Sequence, residues 1–358
     1  MIKNDIETQQ FELMAPTTEA LIQRHLYDRS QESERLPIDW RDIPTHQFGL
    51  DRDVPMSVLF DRIRRSYDGW LPFLQQHFDL DDGVVASLKQ ARHFSYLIGT
   101  ETEDNLPGYK VDIYQVNQFA PPYTHDVFAQ GLGIWTAEED GHGRALNAFG
   151  ELTDELSSKT YTQARTSQLR HGSSATPHNL MHLKVYTSLQ EPMANIAHQK
   201  DAALHDPVGH GILQAIAADE ARHSRWFRGE VGALAVAFPD QLITELYAII
   251  AEGFKMPGVD GIPNYKKMST IVAGANLLTI ADFKSTVVSA IHQWNVQNLA
   301  PKTQEAKRMQ NELVTEFLRP DTEDIIERIV KPGRFVLGHT LTVAQLREAR
   351  NEYKKTLI

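Results

Sequence analysis

Two stretches of this chain end in the same pair of metal-capable side chains: IWTAEEDGH carries Glu139 and His142, and AIAADEARH carries Glu220 and His223. A carboxylate and an imidazole three residues apart share one face of a helix and aim at a common point. Such pairs also arise by chance in a chain with 15 histidines, so their surroundings decide what they mean. Leu132, Trp135, Leu146 and Phe149 recur every three or four residues on the face of the first pair, and Leu213, Ile216 and Phe227 on that of the second. Acids set in an apolar stripe that faces a core need a compensating cation, because burying an unpaired carboxylate costs several kcal/mol. A metal ion supplies that charge.

Two Glu-x-x-His helices offer four ligands, and a carboxylate-bridged pair of ions in a four-helix core takes two more glutamates from the other helices. Glu103, in TETEDNLPGY, and Glu191, in YTSLQEPMANIAH, each precede a pair by a helix, a turn and part of the next helix. An acid stands directly before each pair, Glu138 and Asp219. A metal-bound imidazole usually gives its other N–H to a carboxylate. These two acids are expected to receive it across the bundle, each from the other helix's histidine. His178 and His182 form a His-x-x-x-His, for which a surface or packing role is expected.

The elements that must carry these residues are helical. Apolar residues recur at helical intervals over 55–79, 84–119, 123–150, 177–199, 208–237, 239–255 and 277–298, while alternating runs are scarce. Thr176-Pro177 and Asp206-Pro207 read as helix starts, and 256–266 as a Gly/Pro loop. Arg334–Leu337 is a candidate strand or hairpin. The expected fold is all-α: a ferritin-like four-helix di-iron core at about 84–237, an N-terminal arm at 1–50, and additional helices with a possible short C-terminal hairpin over 238–358, all one domain of 358 residues.

Composition narrows the chemistry. The chain has no cysteine, which excludes disulfides, thiolate-held zinc, iron–sulfur clusters and thiol nucleophiles, so any metal sits on His, Asp or Glu. A net charge of −11 argues against a nucleic-acid partner, and neither a targeting peptide nor a membrane-spanning run is legible, so a cytoplasmic protein is expected.

Four segments, in order, resemble the soluble acyl-[acyl carrier protein] desaturases typified by the plant stearoyl enzyme. EDNLPGY at Glu103–Tyr109 is similar to that family's EEALPTY, WTAEEDGH at Trp135–His142 to WTAEENRH, YTSLQE at Tyr186–Glu191 to YTSFQE, and AADEARH at Ala217–His223 to AADEKRH. The resemblance is strong over about 95–230 and weak toward both ends. It implies iron ligands Glu103, Glu139, His142, Glu191, Glu220 and His223, and an electron route through Trp40 and Asp219. It also departs from the family: Ala194 stands where the plant enzymes have threonine near the oxygen site, and Pro192 directly follows a ligand.

What the resemblance implies is a homodimer that uses two irons, O₂ and two external electrons to place a cis double bond in an acyl chain borne by acyl carrier protein. The electrons are expected from a ferredoxin-like donor, since the chain has neither cysteine for a cluster nor a GxGxxG segment. Trp135, Phe149 and Met193 are candidates for the channel or the core, and Arg62, Arg64, Arg65, Lys266 and Lys267 for a basic docking patch. A di-iron oxidase or hydroxylase with another substrate, or a non-catalytic ferritin-like iron protein, are the alternatives.

Overall fold

Helix starts in this chain are written in its polar residues. The computed structural model describes residues 41–106, 122–156, 162–163, 165–167, 179–318, 334–337 and 339–357. Asp81 opens a helix by accepting from the Val84 amide, Asn179 another by accepting from His182, and Asp206 a third by accepting from Val208 and Gly209, with Pro207 at the first helical position. Each side-chain oxygen satisfies an amide that the first turn cannot.

Among the described residues the α-helices, in chain order, are α1 (Asp42–Phe48), α2 (Met56–Phe78), α3 (Asp82–Asp104), α4 (Pro122–Leu152), α5 (Leu180–Leu204), α6 (Pro207–Ala237), α7 (Pro239–Glu252), α8 (Tyr265–Gly274), α9 (Ile280–Gln293), α10 (Gln304–Phe317) and α11 (Val343–Leu357). Strands β1 (Arg334–Leu337) and β2 (His339–Thr342) pair antiparallel as a hairpin before α11. Sequence periodicity carried α3 to residue 119, but the helix stops at Asp104, with Asn105 at its C-cap and a proline two residues further on. The stretch 256–266, expected as loop, holds a single 3₁₀ turn at Val259–Gly261, and its end already belongs to α8. Thr176 and Pro177 lie outside the described residues.

α3, α4, α5 and α6 form the central layer, with α5 and α6 in the most extensive contact. The apolar stripes expected around the two Glu-x-x-His pairs are buried: Leu132, Trp135, Leu146, Phe149, Leu213, Ile216 and Phe227 are each at most 2% exposed. Fully burying one such side chain is worth about 1.5–3 kcal/mol, so the stripes fix how each helix is rotated. Helices α7, α9 and α10 cover one side, with Leu242, Leu246, Ile291 and Leu313 in a core shared with α5 and α6. On the other side α1 and α2 lie against α6, and α11 packs on α2.

Proline inside α5 leaves a visible repair. Pro192 has no amide to give the Ser188 carbonyl, four residues back. Arg228 of α6 donates to that carbonyl from Nε at 3.2 Å, and its other nitrogens reach Thr286 O at 3.1 Å and Ser289 Oγ at 2.8 Å on α9. One buried guanidinium thus closes the gap and ties three helices together.

No helix among the described residues is long and apolar enough to cross a membrane.

Candidate metal centre

Each of the four central helices delivers its acid or pair to one place. Glu103 comes from the last turn of α3, Glu139 and His142 from the middle of α4, Glu191 from α5, and Glu220 and His223 from α6. All six are buried, none more than 4% exposed. Their ligand atoms fall into two overlapping groups, Glu103/Glu139/His142/Glu220 and Glu139/Glu191/Glu220/His223, each with every atom within 4.8 Å of the others. Glu139 and Glu220 belong to both groups and stand between them, as bridging carboxylates would.

The histidines point the same way. His142 Nδ1 lies 3.0 Å from Glu220 and 3.6 Å from Glu103, and His223 Nδ1 lies 3.2 Å from both Glu139 and Glu220 and 3.4 Å from Glu191. Their Nε2 atoms face outward and cross the bundle: His142 Nε2 meets Asp219 at 3.2 Å, and His223 Nε2 meets Glu138 at 2.7 Å. A carboxylate can only accept, so each imidazole keeps its proton on Nε2 and turns Nδ1 to the cluster.

Charge in this pocket is unbalanced. Burial, then the neighbouring charges of Glu220 and Glu103, push Glu139 up to about 8, and burial with Glu220 drives Glu191 well above the usual carboxylate range. Against burial, His223 and His142 hold Glu220 well below it, and both imidazoles sit well above their ordinary value. Protons therefore neutralise what four adjacent carboxylates cannot leave charged. The unsatisfied atoms point to a metal as well. His142 Nδ1, Glu103 Oε2, Glu220 Oε1 and both Glu191 oxygens are buried without a hydrogen bond, and all belong to the ligand groups. A set of carboxylate oxygens and imidazole nitrogens without sulfur suits iron or manganese, so the residues fit a pair of such ions.

Three participants were not read from the sequence. His198 Nε2 donates to Glu103 at 2.9 Å. Arg222 donates to Glu138 at 2.7 Å and also to Asp219, joining the two outer acids. Arg228 supports the turn before Glu191, as described. His198 lies two helical turns beyond Glu191 on the same face, a spacing that was available as a signal. Arg222 sits inside the second motif but looks like an ordinary surface arginine there.

Other candidates separate from the centre. Trp40 and His178 lie outside the described residues. His182 bonds Glu245 at 3.0 Å, away from the six ligands. Trp135, Phe149 and Met193 are core residues. None of them lines the narrow, mostly apolar cavity of about 50 Å³ that touches Glu103, Ala194, His198, Leu146 and Leu213. Arg64 and Arg65 are paired with Asp154 and Asp61, and Arg62 donates to Leu357 O at 3.0 Å, so this part of the expected basic patch is engaged within the chain.

A sequence profile described as fatty acid desaturase matches residues 75–331, well over half of the chain, and the protein belongs to that family. Among its relatives is acyl-[acyl-carrier-protein] desaturase 6, chloroplastic, of Oryza sativa subsp. japonica, 28% identical over 247 residues. That match takes in 64% of this chain and 59% of the rice protein, so the chain spans about three fifths of the plant relative's length. DesA1 of Mycobacterium tuberculosis, an assigned acyl-[acyl-carrier-protein] desaturase, is 25% identical over 66% of this chain and 70% of its own. The X-ray structure of DesA2 from Mycobacterium tuberculosis, assigned as an acyl-ACP desaturase, superposes with a TM-score of 0.50 at 20% identity, covering 85% of this chain and 99% of that one. The fold is thus the ferritin-like helical one.

Proposed function

We propose that this protein is a di-iron, O₂-dependent desaturase that converts two adjacent methylenes of an acyl chain on acyl carrier protein into a cis double bond. The convergence of two Glu-x-x-His helices on two ligand groups that share Glu139 and Glu220 carries this reading. The reaction balances as one acyl chain, O₂, two electrons and two protons giving the alkene and two waters. Bound iron would supply the oxidising power that no side chain has.

The chain's own residues do the rest. Glu103, His142, Glu191 and His223 would each hold one ion, and Glu139 and Glu220 both. Asp219 and Glu138 fix the imidazole tautomers. Against the cost of burial, the bond from His223 and the Arg222 charge keep Glu138 below the usual carboxylate range, and so able to accept. The apolar helix faces exclude water. The cavity beside Glu103 and Ala194 offers space for acyl methylenes next to the cluster. Electrons would arrive on a ferredoxin-like protein, and Lys266 and Lys267, exposed on α8, remain as docking cations. A single desaturase domain acting as a cytoplasmic homodimer completes the reading, and the family resemblance supports it.

Iron analysis of the purified chain, followed by incubation with acyl-loaded carrier protein, reduced ferredoxin and O₂ and mass analysis of the acyl group, tests the proposal. Two irons per chain and loss of two hydrogens are expected. Absence of iron, or no dehydrogenated product at any chain length, would sink it. One observation favours a second reading. Ala194, at the cavity wall, lacks the hydroxyl of the plant threonine, and a hydroxylated product would identify an oxidase instead.

A further inference from the structure

The two ligand groups are not built alike. Three of the four residues that belong to only one group are held from outside the cluster by a buried hydrogen-bonding partner: His142 by Asp219, His223 by Glu138, and Glu103 by His198. The fourth, Glu191, is 0% exposed and faces only His223 and Glu220 of the cluster itself, with no hydrogen-bonding partner from outside it. Glu191 is also followed by Pro192, so its helix lacks a backbone bond within the turn that carries it, replaced by the side chain of Arg228. His198, by contrast, lies in an uninterrupted stretch of α5, is 4% exposed, and reaches across to α3 to fix one oxygen of Glu103.

A ligand held in place before the ion arrives gives up little freedom on binding, and loss of such an outer partner typically lowers metal affinity about 10- to 100-fold. We propose that His198 is a positioning residue that makes the two metal positions unequal: the Glu103/His142 position fills first and tightly, and the Glu191/His223 position second and more weakly. Glu191 is then the ligand free to change its coordination when the second ion binds or leaves. This inference rests on the di-metal reading above and adds to it an order of assembly and the residue that sets it.

Cobalt(II) serves as the probe, because its visible absorption reports coordination without any turnover. The full chain, stripped with chelator and titrated anaerobically, is expected to bind two equivalents whose dissociation constants differ by about 10-fold or more. Glu103→Gln should weaken the tight equivalent and Glu191→Gln the weak one. His198→Leu should bring the two constants together, while His198→Gln, which keeps an amide donor, should restore most of the gap. Two equal constants in the unaltered chain overturn the inference and leave the di-metal reading standing. So does a gap unchanged in His198→Leu, or loss of the same equivalent in both Glu variants. No cobalt bound at all overturns both.

Discussion

At the scale of single residues the centre is a place where protons and metal ions would compete. Where four carboxylates meet away from water, burial and mutual repulsion push Glu139 and Glu191 up, and against burial the surrounding carboxylates raise both imidazoles. Divalent ions must displace those protons. Metal binding at pH 7 should therefore release protons, and affinity should fall as pH falls; a dye-coupled titration in weak buffer checks both, and proton-neutral binding would contradict the charge assignment. That these six metal-capable residues would converge was legible because each sits in a motif of neighbouring letters, and an acid placed within an apolar stripe is itself a sequence signal. Arg222 and Arg228 were not, because the partners that give them their roles, Glu138 and the Ser188 carbonyl, lie on other helices; His198 had only its spacing from Glu191 as a signal. Trp40 had only the resemblance behind it.

Among the helices, Pro192 and Arg228 form a pair that can be measured. Arg228→Leu leaves the Ser188 carbonyl without its donor and removes the links to Thr286 and Ser289, and about 1–3 kcal/mol of stability should be lost. Pro192→Ala returns an amide to Ser188, so the arginine deletion should cost less in that background. Additive effects in urea unfolding of the four variants would refute the coupling. The corner between α5 and α6 gives a pH signal. His210 donates from Nδ1 to the Ala202 carbonyl at 2.9 Å, and burial with the charge of Arg350 depresses it to about 4. The unfolded chain, with its histidine near 6.5, takes up this proton first. Stability from His210 is thus full above about pH 6.5 and is lost as pH falls toward 4, by at most about 3 kcal/mol. His210→Gln should flatten that part of a melting-temperature profile. Helix positions were largely readable from periodicity and caps. The end of α3 was not, since apolar spacing continues past the residue where the backbone leaves the helix.

Across the whole molecule, the metal centre couples to the fold. All four central helices contribute candidate ligands, so ions that bind only the folded chain would stabilise it by mass action. Chelation should lower the melting temperature and restoring iron should raise it, by an increment that grows with free metal. Identical melting curves with and without iron would show that the ligands do not hold the bundle. The all-helical architecture, with its short hairpin before the last helix, was legible from composition and spacing. The placement of the outer helices was not, because their partners are distant in sequence.

The last helix, α11, has a consequence for the order in which the chain assembles. Tyr353 donates to the Ser66 carbonyl at 2.9 Å, over the face of α2 where Gly69 leaves room for its ring, and Arg350 bonds the carbonyls of Ala202, Ala203 and His205 at 3.2, 2.7 and 3.0 Å. These bonds join residues 287 and 145–148 positions apart. Contacts across such loops form late, because closing them costs chain entropy that nearer contacts do not. During synthesis the central helices and their ligands can therefore meet while this corner is still open, and the arrival of α11 is the step that shuts it.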